Sequence, residues 1–148
     1  LGSVKELQRL TLENLAKDLI VFDIEKMRFS PRWGAVGWWT SDGPSLPIPV
    51  YARTEGNIRI SVATESGLLL RQWEARAVKG LNYPVWDMTI DETILSEYNK
   101  LLNEKVKPDE KPIAVKQAPN GKIYIYRGVY IVTVEKDGKS EKTKLSID

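Results

Sequence analysis

Asp137-Gly138, set between two stretches of alternating apolar and polar residues, leaves the end of this chain little choice of fold. An Asp-Gly pair favours the two-residue type I′ turn, because both central residues take positive φ and the turn's twist matches that of the paired strands. Such a turn pairs Lys136 with Lys139, and counting outward sets Tyr130, Val132 and Val134 opposite Leu145, Thr143 and Glu141. Tyr130, Val132, Val134, Leu145 and Ile147 then supply an apolar face, while Lys142 and Lys144 point the other way. A slip of one residue would turn that face to water, so the register is well fixed.

The same period of two recurs upstream. Ile58, Ile60 and Val62 alternate with Arg59 and Ser61, Thr64-Glu65-Ser66-Gly67 makes a turn, and Leu68 to Trp73 returns as a second strand. Lys79-Gly80-Leu81-Asn82 turns again into a strand that delivers Trp86 to the core, with Asp87 directly after it. Pro84 lacks a ladder donor, which places that strand at an edge or gives it a bulge near its start. Leu19 to Phe22 reads as a brief apolar strand, and Asn120-Gly121 marks a turn before Ile123 to Tyr126. Roughly seven short strands separated by turns indicate a mainly β chain, an immunoglobulin-like or fibronectin type III-like β-sandwich. A split β-barrel is the alternative architecture.

Three stretches break the pattern. Ser3-Val4-Lys5-Glu6 fits a capping box ahead of Leu7 and Leu10, and Thr11 caps a second short turn through Leu15, so the start is a short helical segment. Arg28 to Tyr51 holds Pro31, Pro44, Pro47 and Pro49 with three glycines, which forbids a long regular element. Asp91 to Val106 carries an i, i+3/i+4 stripe of Ile94, Leu95, Tyr98, Leu101 and Leu102, with Asp91 or Thr93 as cap, and reads as one inserted helix. Lys107 to Pro119 follows as a polar, proline-containing linker.

At 148 residues the chain is one domain long, and its 42% apolar and 28% charged residues are ordinary globular values. The net charge is +2, with bases interleaved among acids as in Glu135-Lys136-Asp137. That is a solvated surface rather than a phosphate-binding stripe, so no nucleic-acid partner is expected. Cysteine and histidine are both absent. Disulfides, thiolate metal sites, Ser-His and Cys-His dyads and most zinc chemistry go with them. No apolar run approaches the ~18 residues of a membrane span, and no cofactor motif is present.

Asp87 and Asp91, with Glu92 alongside, are the one carboxylate group worth weighing. Glycoside chemistry would need two of them ~5–9.5 Å apart across a cleft, whereas acids at a strand end and a helix start are ordinarily caps. Asp137-Gly138 lacks the further oxygen ligands of a calcium loop. Gly121-Lys122 lacks the glycine frame of a phosphate loop. Tyr124, Tyr126 and Tyr130 fit cross-strand packing at strand spacing. Trp33, Trp38, Trp39 and Tyr51 form the candidate site. These rings either pack over an apolar patch or make a stacking platform for a sugar, since an indole suits the face of a pyranose.

The order of segments is also familiar. Leu7-Gln8-Arg9-Leu10-Thr11, Leu15-Ala16-Lys17-Asp18, Arg32-Trp33-Gly34, Asn57 to Val62, Gly80-Leu81-Asn82, Val85-Trp86-Asp87, Gly128-Val129-Tyr130 and Asp137-Gly138-Lys139 occur in this sequence. Together they resemble the propeller-to-sandwich join and the appended sandwich domain of bacterial sortilin-like, BNR-repeat proteins, often labelled glycosyl hydrolases. Arg127-Gly128 departs from the commoner Pro-Gly. The resemblance implies a linker over residues 1–24 that ends a missing upstream domain, and a sandwich over 25–148 with an insertion at about 88–119. It implies a propeller of the same chain as partner, with polysaccharide as a possible ligand, and a bacterial envelope or secreted location. Any catalytic residue would sit on that propeller, so none is assigned to this chain, although the parent protein would be a glycoside hydrolase. The expected role is a non-catalytic accessory domain that braces or positions the propeller. The alternative is a carbohydrate-binding module using Trp33, Trp38, Trp39 and Tyr51.

Overall fold

The computed structural model describes residues 18–30, 33–34, 44–104 and 106–148. The helical turns expected before Lys17, together with Trp38 and Trp39, lie outside the described residues.

Nine strands among the described residues build a β-sandwich: β1 Leu19–Val21, β2 Leu46–Pro47, β3 Val50–Ala52, β4 Gly56–Thr64, β5 Leu69–Ala77, β6 Gly80–Asn82, β7 Val85–Trp86, β8 Gly128–Lys136 and β9 Lys139–Ile147. The larger sheet runs β5-β4-β8-β9 and the smaller runs β1-β3-β6, while β2 and β7 form a two-stranded ribbon. This four-on-three arrangement is that of a fibronectin type III-like sandwich. There are more strands than the seven or so expected. The Pro-rich stretch contributes β2 and β3, and the Trp86 strand divides at Tyr83-Pro84 into β6 and β7. Ile123 to Tyr126, by contrast, makes only an isolated bridge, between Tyr124 and Thr89.

The hairpin forms in the register its turn dictates. Lys136 pairs with Lys139, Val134 with Glu141, Val132 with Thr143 and Tyr130 with Leu145. Asp137 and Gly138 take φ of 51° and 80°, the left-handed pair of a type I′ turn. β4 pairs with β8 on one side and β5 on the other, with a bulge at Val62/Ala63. Ile58, Ile60 and Val62 are buried with Tyr130, Val132, Val134, Leu145 and Ile147, and Leu19, Val21, Val50 and Ala52 of the smaller sheet join the same core. The run of leucines resolves as Leu70 inward and Leu69 exposed. Lys136 ends the inward row of β8. Its buried ammonium is satisfied by Thr54 Oγ1 at 2.8 Å and Asp137 Oδ2 at 2.6 Å, as burial of a charge requires.

β1 falls before position 25 yet pairs with β3, Leu19 against Ala52 and Val21 against Val50, so the end of the segment read as linker is a strand of the smaller sheet. Beyond β1 the chain crosses to the larger sheet. Met27 N–H donates to Ser146 C=O at 2.9 Å, Asp148 N–H to Met27 C=O at 2.9 Å, and Phe29 N–H to Asp148 C=O at 2.6 Å. One segment thus staples both sheets and occupies the edge at the end of β9. The crossing also carries Phe29 and Trp33 to one end of the sandwich.

The insertion leaves after β7 and returns before β8. Its stalk is a pair of extended legs: Ile90 N–H donates to Ile123 C=O and Ile125 N–H to Met88 C=O, both at 2.9 Å. The helix is shorter than the apolar stripe suggested. A 3₁₀ turn over Glu92–Ile94 leads into α1, Leu95–Asn103, and Val106 is not helical. Asp91 is the cap, accepting from Thr93 N–H at 3.0 Å. Among the described residues no helix is long and apolar enough to cross a membrane.

Candidate functional site

Asp87 and Asp91 flank the short crossing from β7 to the helical insertion. Asp87 Oδ1 accepts from Thr89 N–H at 3.1 Å and from Thr89 Oγ1 at 2.6 Å. Asp91 Oδ1 likewise accepts from Thr93 N–H at 3.0 Å and Thr93 Oγ1 at 2.9 Å. Each is an Asp-x-Thr turn whose side chain replaces a missing backbone partner. Burial pushes the Asp87 carboxyl up, but the two Thr89 hydrogen bonds with the Arg71 and Lys122 charges outweigh it, and the net shift is downward. The Thr93 backbone and side-chain bonds hold the Asp91 carboxyl below its usual range, helped by Arg71. A general acid at neutral pH needs the opposite shift. Both groups favour the folded state above the usual aspartate range and lose that contribution as pH falls. Asp87 and Asp91, which share an open cleft of about 400 Å³ with Glu92, Arg71 and Lys122, are therefore biased toward their charged forms rather than poised as an acid–base pair.

A second cavity, about 530 Å³, is aromatic. One wall is Phe29 and Trp33, carried there by the segment that runs along β9. A second is Tyr124, Tyr126 and Arg127, on the outgoing leg of the insertion. The third is the segment from Ala114 to Pro119. Trp33 meets Phe29 edge-on (ring centroids 5.3 Å apart, 70° between planes) and tilts toward Tyr124 (6.0 Å, 53°), while Phe29 meets Tyr126 at 5.1 Å and 62°. These are the edge-to-face angles that aromatic quadrupoles favour. They make a walled groove, not the coplanar platform a flat polysaccharide surface would need. The Arg127 guanidinium carbon lies 5.3 Å from the centre of the Phe29 ring, in cation–π range.

Gly34 lies where Ala118 and Tyr124 of two walls approach each other. Its φ is +82°, and a Cβ there would lie 2.5 Å from Ala118 Cβ and 2.7 Å from the Tyr124 ring. Asn120 N–H donates to Gly34 C=O at 3.0 Å, and Asn120 Nδ2 donates to the Tyr124 hydroxyl at 2.9 Å. Only a residue without a side chain lets the two walls meet this closely. Of the ring residues singled out from sequence, Trp33 therefore lines the groove, half-buried. Tyr51 does not. It sits in the middle of the smaller sheet opposite Ile20 and Leu81, and because Val50 and Ala52 face the core it lies on the outer side.

Sequence reading missed two asparagines that position the third wall. Asn99 Nδ2 donates to Val115 C=O at 3.0 Å and Asn99 Oδ1 accepts from Val115 N–H at 2.7 Å. Asn103 does the same to Ile113, with both bonds at 2.7 Å. Residues four apart on a helix rise ~6.0 Å, and residues two apart on an extended chain rise ~6.6 Å. One helix face can therefore serve alternate residues of a strand, each amide standing in for a neighbouring strand's peptide. The signal was the i, i+4 Asn pair itself, sited beside the apolar stripe. An Asn99→Ala/Asn103→Ala double variant is expected to lose ~0.5–1.5 kcal/mol per hydrogen bond. Amide exchange at Ile113 and Val115 should rise toward that of free peptide, whereas continued protection of both amides would contradict this.

The insertion is anchored to the sandwich by two buried phenols. Tyr126 N–H donates to Tyr98 Oη at 2.9 Å, Tyr130 Oη donates to Tyr126 C=O at 2.7 Å, and the two hydroxyls hydrogen-bond each other. Since the Tyr130 proton is committed to Tyr126 C=O, the Tyr98 proton goes to Tyr130. The chain of bonds thus starts and ends on one residue. Tyr130 bonding back to the preceding loop is the tyrosine corner of sandwich folds, here extended by a helix residue. Burial raises the Tyr98 hydroxyl to about 12 and pushes Tyr130 up further.

Fold and site together define a β-sandwich module with a helical insertion, a walled aromatic groove, and carboxylates spent on turns. No family model and no curated protein sequence matches the chain. Among solved structures it is similar to part of a dimeric latent PorU from Porphyromonas gingivalis, with TM-score 0.42 and 12% identity over 88% of this chain and 9% of that one. It is also similar to part of a beta-glucosidase from Listeria innocua in complex with glucose, with TM-score 0.33 and 9% identity over 86% of this chain and 16% of that one. The chain thus spans a small part of the length of either.

Proposed function

We propose that this chain is a non-catalytic accessory β-sandwich domain of a larger exported protein, in the bacterial envelope or outside the cell. Its role is to brace or position an upstream propeller of the sortilin-like, BNR-repeat kind, whose parent would be a glycoside hydrolase. The observation that carries this reading is the commitment of Asp87 and Asp91 to turn and cap hydrogen bonds, with both carboxyls shifted toward the charged form. Calorimetry of the parent protein with and without residues 1–148 tests it. Loss of the sandwich should lower the melting temperature of the propeller. An unchanged propeller transition, together with no binding when the two parts are mixed, would remove the bracing role.

Carbohydrate binding is a second reading, favoured by one observation: Trp33 and Tyr126, half-buried rather than sealed in the core, line an open groove of about 530 Å³. That volume lies within the ~300–1,000 Å³ of small-molecule sites.

A further inference from the structure

We infer that the aromatic groove is a subsite for acidic glycans, taking a uronate residue with its ring against Trp33 and its carboxylate against Arg127 and Lys116. The inference rests on the carbohydrate reading above and names its ligand class. Charge carries it. Among the described residues, those lining the groove include two cations, Lys116 and Arg127, and no carboxylate. The neighbouring cleft differs sharply, with Asp87, Asp91 and Glu92 around Arg71 and Lys122. Among the described residues neither Lys116 nor Arg127 forms an ion pair, while Arg59, Arg76, Lys122 and Lys144 each face an acid.

The two cations stand on different walls, Lys116 on the segment held by Asn99 and Asn103, and Arg127 directly after Tyr126. Arg127 is also restrained by the Phe29 ring. A guanidinium held on an aromatic face keeps its planar fork available, and that fork matches a carboxylate with two parallel hydrogen bonds. The ligand geometry agrees. The carboxylate of a uronic acid projects from the rim of the pyranose ring, so a ring stacked on an indole still presents its charge sideways to the groove edge. A neutral hexose offers a hydroxymethyl group there, which can accept one hydrogen bond but brings neither the charge nor the two-oxygen fork of a carboxylate. Edge-to-face walls suit one or a few sugar residues gripped along a chain, not a flat crystalline surface.

The test is titration of the full 148-residue chain with tetragalacturonate and tetramannuronate, followed by tryptophan fluorescence and calorimetry, with the methyl esters of both as neutral counterparts. At least one acidic tetramer is expected to bind saturably, at least about tenfold tighter than its ester, with the difference shrinking as salt is added. Arg127→Gln and Lys116→Gln, both exposed and outside the core, should each weaken acidic binding about tenfold and leave the ester unchanged. Trp33→Ala should remove the fluorescence response; if it perturbs folding, the two cation variants still decide. Equal binding of acid and ester would overturn the acidic assignment and leave carbohydrate binding standing. No saturable binding of any tetramer would overturn both. A poly-glutamate peptide binding as tightly as the acidic sugar would replace the glycan by an acidic chain in general.

Discussion

Trp86→Ala is expected to cost ~3–5 kcal/mol, the range for emptying a buried aromatic site. At ~2–4 °C per kcal/mol for a domain of this size, the melting temperature should fall by roughly 6–20 °C. Three observations place the residue at the upper end. The side chain is 2% exposed. Its indole N–H donates to Thr89 C=O at 3.0 Å in the interior. Its ring stacks on Trp73, 6.3 Å away and 22° from parallel. The alanine variant would leave a cavity, a buried carbonyl without its donor, and Met88 in the left-handed region (φ 68°) with one restraint fewer. Trp86→Phe should recover much of the packing but not the hydrogen bond. Urea unfolding of both variants checks this, and a loss under ~1 kcal/mol for the alanine variant would contradict a core position.

Tyr130→Phe removes the hydroxyl that links Tyr98 to Tyr126 C=O, leaving the buried Tyr98 phenol proton and the half-buried Tyr126 carbonyl without their partner. A loss of ~1–3 kcal/mol is expected. Because Tyr98 and Tyr130 act as one unit, the Tyr98→Phe/Tyr130→Phe double variant should differ from the sum of the single variants by ~0.5–3 kcal/mol. The same pair sets an alkaline limit. Free tyrosine titrates near ~10, while burial raises Tyr98 to about 12 and Tyr130 further. A raised folded value means the contribution is complete below the unfolded value and is lost as pH climbs through the folded one. Wild type should therefore lose more stability than the double variant between pH ~9 and ~12, by urea unfolding at each pH. Parallel curves would show that neither phenol is buried as described.

What was legible in the sequence was local. The hairpin register followed from Asp137-Gly138 and an alternation that no distant residue had to complete. Ile58, Ile60 and Val62 declared their face in the same way, as did Asp91 its cap. What failed depended on partners far along the chain. The helix stops at Asn103 rather than running to Val106, and Asn103 turns its amide to Ile113, ten residues on. The stretch from Lys107 to Pro119 read as linker because its extended piece is held by side chains, not by a strand with its own apolar pattern. β2 and β3 hid among prolines, since two or three residues of pairing leave little periodicity to detect. The site divided similarly. The Trp33 ring is conspicuous in the sequence, but its ring contacts, Phe29 and Tyr124, and the other groove residues Tyr126 and Arg127 converge only once the segment after β1 crosses to β9 and the insertion folds back. Nearness in sequence groups Tyr51 with Trp33, whereas strand alternation places it on the outer side of the smaller sheet.

That Asp87 and Asp91 are held as turn and cap carboxylates rather than as general acids is tested most directly by following their side-chain carboxyl ¹³C shifts against pH. Both are expected to titrate below the ~3.9 of a free aspartate, each held in its charged form by a threonine two residues on. Either carboxyl titrating near ~6, where a buried general acid works, would contradict the account and return the cleft of Asp87 and Asp91 to the list of active sites.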